Sequence, residues 1–115
     1  MSKDILKNAK KHFHEVVIGE LKEIDVSEWD CKIFFRGGTN FTQEAKVIEL
    51  QNSGKSAEAL VQVLINRSLD KDGKRLFTDH QKSELMNNVD PATILKIVTA
   101  INTNQSPTIE EAEGN

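Results

Sequence analysis

Apolar residues in the second half of the chain recur with the period of a helix. Ala57, Leu60, Val61, Leu64, Ile65 and Leu69 fall at i, i+3, i+4, i+7, i+8 and i+12, which is the core-facing stripe of one helix. Before it, Phe41, Ala45 and Ile48 are spaced as a stripe over a helix from Thr42 to about Gln51, with Asn52-Ser53-Gly54 as its stop. After it, Asp70-Lys71-Asp72-Gly73 reads as a helix-ending turn with Gly73 left-handed. Thr78 and Gln81 then make a capping box for a helix holding Leu85, Met86 and Val89. Asp90 and Pro91 are a good N-cap and first residue for another, striped by Ile94, Leu95, Val98 and Ile101.

The first third reads differently. Ile5, Leu6, Ala9 and Phe13 lie on one helical face among lysines, so residues 1–12 form either a short amphipathic helix or a frayed terminus. Val16-Val17-Ile18 and Ile33-Phe34-Phe35 are β-branched or aromatic runs and predict two strands. In the second, alternation puts Cys31, Ile33 and Phe35 toward the core and Lys32, Phe34 and Arg36 away from it. Gly37-Gly38 ends that strand through glycine's tolerance of positive φ. From residue 103 the chain is polar and acidic, with Glu110, Glu111 and Glu113 around one Ile109, and is expected to be disordered. The fold class is α+β: a short N-terminal helix, a small antiparallel β-hairpin or sheet, about four helices and an acidic tail. The domain division is 1–12, 13–102 and 103–115.

A chain of 115 residues supports one domain, and a domain this size buries roughly 65% of its unfolded surface without needing metal or disulfide staples. The net charge of -3 argues against a phosphate backbone or an anionic membrane as primary partner. One cysteine, Cys31, makes no internal disulfide and fits a reducing compartment. The basic start runs into His12-Phe13-His14-Glu15 rather than an apolar stretch, so neither a secretory signal nor a membrane span is expected.

Candidate chemistry is sparse. A calcium loop needs glycine at position six and glutamate at twelve; counted from Asp70, these are Arg75 and Gln81. His12, His14 and Cys31 are too few for a structural zinc site without scattered carboxylates, and surface histidines explain them better. Cys31 lacks a nucleophile signature, and a buried thiol packs as a small inert hydrophobe. Gly37-Gly38-Thr39 lacks the lysine of a phosphate loop. Glu20, Glu23, Asp25, Glu28 and Asp30 read as a solvated surface. Trp29, among acids, is either an interface anchor or a lid over the core edge. No enzyme activity and no cofactor is expected. The competing readings are a small metal-binding or enzymatic cytosolic domain, and a nucleic-acid-binding regulatory domain using Lys3, Lys7, Lys10 and Lys11, or Lys71, Lys74 and Arg75.

One ordered set of features carries a resemblance. A Ser27-Glu28-Trp29 turn precedes Ile33-Phe34-Phe35-Arg36, then a helix leads through Leu64-Ile65-Asn66-Arg67-Ser68-Leu69 into Asp70-Lys71-Asp72-Gly73 and a Leu76-Phe77 exit, followed by a helical pair. Over about residues 13–102 this resembles the tail assembly chaperones of long-tailed bacteriophages and prophages. The resemblance implies a non-enzymatic factor of the host cytoplasm, absent from the virion, that binds the tape measure protein and helps tail tube subunits polymerise around it. Covering the apolar stripes of a long helical client takes apolar surface, often in several copies, so a homo-oligomer is compatible with this role. It further implies that this chain is the short product of a gene whose frameshifted product is longer. The contact surface expected on that basis comprises Trp29, Phe34, Leu76 and Phe77 with the Ile5, Leu6 and Ala9 face. Deep burial of both Phe34 and Phe77 would remove it.

Overall fold

The computed structural model describes residues 4–103. The expected acidic tail lies outside the described residues beyond Thr103, which closes the last helix. Helix α1 spans Ile5–His12, and its N-cap Asp4 accepts a hydrogen bond at Oδ1 from the Lys7 amide at 2.9 Å. Helical backbone then continues, in a wider coil, through Phe13–Ile18. Gly19 ends it at φ 57°, its N–H reaching the His14 carbonyl five residues back. The strand expected at Val16-Val17-Ile18 is therefore helical. Tertiary contact overrides β propensity there: the Gly37 amide donates to Ile18 O at 3.0 Å, and Val17 lies against Gly37 and Gly38.

This contact revises the role of the two glycines. Neither takes positive φ, which occurs among glycines at Gly19, Gly54 and Gly73. They allow close approach instead: a Cβ on Gly38 would lie 2.4 Å from a Val17 methyl, and one on Gly37 2.7 Å from the Val17 carbonyl oxygen.

Strands β1, Lys22–Val26, and β2, Cys31–Phe35, form an antiparallel hairpin in which Ile24 faces Ile33 and Val26 faces Cys31. Its turn is a single helical turn, Ser27–Trp29, closed by left-handed Asp30, a residue type that tolerates this conformation. A third, short rung adds to β2: Phe34 and Leu69 exchange backbone hydrogen bonds at 2.9 and 2.7 Å, and Leu69 in turn bridges to Arg75. Asp70-Lys71-Asp72-Gly73 is thus the tip of a small loop. Gly73 takes φ 82° as expected, and Asp70 accepts from the amides of Asp72 and Lys74.

Four helices follow: α2, Phe41–Asn52; α3, Ser56–Arg67; α4, Lys82–Asn88; and α5, Pro91–Thr103. The Thr78–Gln81 capping box opens a tight turn, Asp79–Gln81, ahead of α4. The core lies between the hairpin, α3 and α5, with Ile33, Phe35, Leu64, Ile65, Ile97 and Ile101 at 0–1% exposure. Three stripes sit differently from expectation. Of α2 only Val47 is buried while Phe41 and Ile48 face outward, because α2 packs on α3 by one edge. On α4 and α5, Leu85 and Ile97 are buried but Met86 and Leu95 are not.

The start of α5 supplies a pH test. Asp90 accepts from the Thr93 hydroxyl and from its amide, at 3.0 Å, and these bonds hold the carboxyl below the ordinary aspartate value. A depressed folded pKa stabilises above the unfolded value, about 3.9, and this contribution disappears as pH falls through the lower folded value. Asp90→Asn keeps an acceptor without the titration. Its acid-unfolding curve below about pH 4 is expected to be shallower than wild type; parallel curves would show that Asp90 contributes nothing to acid sensitivity.

Candidate functional site

Helix α1 presents an apolar face that no layer covers among the described residues. Ile5 is 75% and Leu6 67% exposed, Ala9 lies one turn on, and no residue of the helix is buried. Lys10, Lys11 and His12 crowd its last turn, where cations suit the helix dipole. Val16, 62% exposed, prolongs the apolar surface beyond α1. An isolated eight-residue helix is marginal in water, so continuation into Phe13–Ile18 and its anchorage on Gly37 matter for its persistence.

A second apolar surface is a groove between α3, α4 and α5, of about 250 Å³, whose lining includes Ala57, Leu60, Leu85, Met86, Val89 and Leu95. Sequence reasoning had placed these residues in core stripes. The missed signal was surplus: α4 and α5 are hydrophobic over a wider arc than one neighbour covers, leaving Met86 at 40% and Leu95 at 46% exposure. Methionine suits a surface that must accept varied shapes.

The other candidates are distributed. Trp29 is half-buried and packs against the core; the adjacent Glu28 pairs with Lys96 of α5 at 2.8 Å. Phe34, half-buried, occupies the rung that bonds to Leu69, and Leu76, 39% exposed, follows Arg75 on the next rung. Phe77 is half-buried and packs on the core from the connector to α4. The structure therefore brings Phe34 near the Arg75–Leu76 segment through Leu69, and sets Trp29 and the α1 face at other places on the molecule.

Ionic contacts among the described residues are structural in kind. Lys82 pairs with Glu58 at 3.0 Å, and the Gln62 amide, buried in α3, donates to Asn66 and to Asp79 and so ties α4's lead-in turn to α3. Hydrogen bonding holds the Glu58 and Asp79 carboxyls below their ordinary range. Among the described residues no group of three or more histidine, cysteine or acidic side chains is arranged to hold a metal. Cys31 is exposed, contrary to expectation, because it follows Asp30 directly at the turn end of the ladder. Residual burial, then the charges of Asp30 and Asp25, push its thiol up, away from the nucleophilic thiolate. Among the described residues no helix is long and apolar enough to cross a membrane.

Comparison with known proteins places this architecture. No family model and no curated protein matches the sequence. A solved structure does match in fold, that of the bacteriophage HK97 tail assembly chaperone: TM-score 0.63 at 15% identity, covering 84% of this chain and 97% of that one. The α+β chain thus has the fold of that chaperone, across nearly its whole length.

Proposed function

We propose that this chain is a tail assembly chaperone of a bacteriophage or prophage, acting in the host cytoplasm to bind the tape measure protein and promote tail tube polymerisation. The observation that carries the reading is the fold shared with the HK97 chaperone over 97% of that structure. The surfaces support it. A long helical client exposes apolar stripes that aggregate unless covered, and an amphipathic client helix is met by apolar surface. The chain offers such surface on α1 and in the α3–α4–α5 groove. On this reading residues 1–12 form a contact arm, 13–102 the body and 103–115 an acidic tail; Ile5, Leu6, Ala9, Trp29, Phe34, Leu76 and Phe77 contribute contacts, and the action is non-enzymatic.

Co-expression tests the reading. A tape measure fragment that is insoluble alone is expected to move to the soluble fraction when this chain is co-expressed, and to co-purify with it. An unchanged soluble fraction over a set of fragments tiling the client would refute tape measure binding.

A further inference from the structure

A cleft of about 260 Å³ opens where the helical coil Phe13–Ile18, strand β2, α2 and the end of α3 converge. Arg36, Arg67 and Arg75 line it, Phe13, Ile18 and Leu69 give it apolar wall, and its lining holds no carboxylate among the described residues. Each guanidinium is fixed by a backbone carbonyl: Arg36 Nη1 donates to Gly19 O at 3.0 Å, Arg67 Nη2 to Arg36 O at 2.7 Å, and Arg75 Nη2 to Ile65 O at 3.2 Å. Gly73 leaves room for this arrangement, since a Cβ there would stand 3.3 Å from Arg36 Nη2. A guanidinium carries five N–H donors in a rigid fork, so Arg36 and Arg75 keep donors beyond the one that each gives to a carbonyl.

Gathering cations in a partly dry cleft is costly unless an anion completes it. Burial pushes the Arg67 guanidinium below its ordinary value, and the charge of Glu44 acts in the opposite sense. Asp79 feels Arg75 but is itself engaged by Gln62 and Lys46. Asn40 and Asn66 on the rim are likewise committed, to the Gln43 amide and to the Gln43 carbonyl.

We propose that this cleft is a binding site for a carboxylate side chain of an acidic protein segment, gripped by Arg36 and Arg75 while an apolar neighbour of the carboxylate rests on Phe13, Ile18 and Leu69. The volume favours a side chain: it falls below the roughly 300 Å³ at which small-molecule pockets begin, too small for a nucleotide. The fork geometry favours a planar carboxylate held in a bidentate pair. The apolar wall favours a peptide over a bare ion. This site adjoins the α1 face at Phe13, differs from the apolar surfaces above in its chemistry, and does not depend on the chaperone reading.

The test is a titration of the isotope-labelled full chain, followed by amide chemical shifts, with a blocked peptide of alternating leucine and glutamate, its glutamine counterpart, and inorganic phosphate. The glutamate peptide is expected to shift residues around Arg36, Leu69 and Arg75, to weaken with added salt, and to bind at least about tenfold more tightly than the glutamine peptide. Arg75→Gln removes an exposed side chain and should weaken the glutamate peptide about tenfold, with Arg75→Lys intermediate. Arg36→Gln provides a second variant. Equal affinity for the two peptides overturns the proposal, whatever the variants do. So does unchanged affinity in folded Arg75→Gln and Arg36→Gln, or binding of phosphate without binding of the peptide.

Discussion

The double substitution Ile5→Asp, Leu6→Asp is expected to abolish client solubilisation while leaving the fold as stable as wild type. Both side chains are exposed and α1 buries none of its residues, so folding loses little when they become polar. Surface changes of this kind shift stability within about 0.5 kcal/mol, and for a domain of this size the melting temperature should stay within about 3 °C. Binding is a different matter. Each aliphatic side chain covered by a client contributes about 1.5–3 kcal/mol, and a carboxylate put in its place must be desolvated as well. The pair therefore predicts an affinity loss of about a hundredfold or more. Aspartate in the first turn even suits the helix dipole, so loss of α1 would not explain the defect. Co-purification of a tape measure fragment with the double variant is the measurement, alongside a thermal melt. Wild-type recovery of the client would remove α1 from the contact surface. A large fall in melting temperature would instead show α1 packing within the monomer. Met86→Lys in the groove, made in parallel, reports which apolar surface dominates.

Much of this architecture was legible because capping and turn chemistry is local. Asp90-Pro91, the Thr78–Gln81 box, Gly54 and Gly73 all act where the sequence placed them, and each depends on groups within four residues. Illegible features depend on partners distant in sequence. Nothing local in Val16-Val17-Ile18 says that it must pack on Gly37-Gly38 and so remain helical. Strand β1 escaped notice because Lys22, Glu23 and Asp25 make it look solvated, although Val26 is fully buried and Glu23 meets Lys32 across the ladder at 3.8 Å. The rung at Leu69 arises only when the chain after α3 returns beside β2. The same division holds for function. The α1 face was readable as a helical period, whereas the groove showed only as the surplus apolar arc of α4 and α5, and the arginine cleft, assembled from four segments, has no signature in any one of them.

Neighbouring phenylalanines on β2 give the most direct test of the fold. Phe35 is 1% exposed and lies in the cluster with Leu64, Ile65, Ile97 and Ile101, where hairpin, α3 and α5 meet. Phe35→Ala removes a ring from a site walled by two helices that are capped and tied elsewhere and so collapse poorly into the void. The cost is expected at about 3–5 kcal/mol, transfer and cavity together. Against the roughly 5–15 kcal/mol that stabilises a domain, this removes about a third to a half of a mid-range value and should lower the urea midpoint by a similar fraction. Phe34 points to the other face of the strand, half-buried, and pairs with Leu69 through backbone atoms that alanine retains. Phe34→Ala should therefore cost only about 1 kcal/mol, close to the average for point substitutions. Urea titration of both variants reads the contrast. Equal costs would place Phe34 in the core and withdraw it from the contact surface; a large difference, with client recovery reduced in Phe34→Ala at near wild-type stability, would assign the ring to the partner.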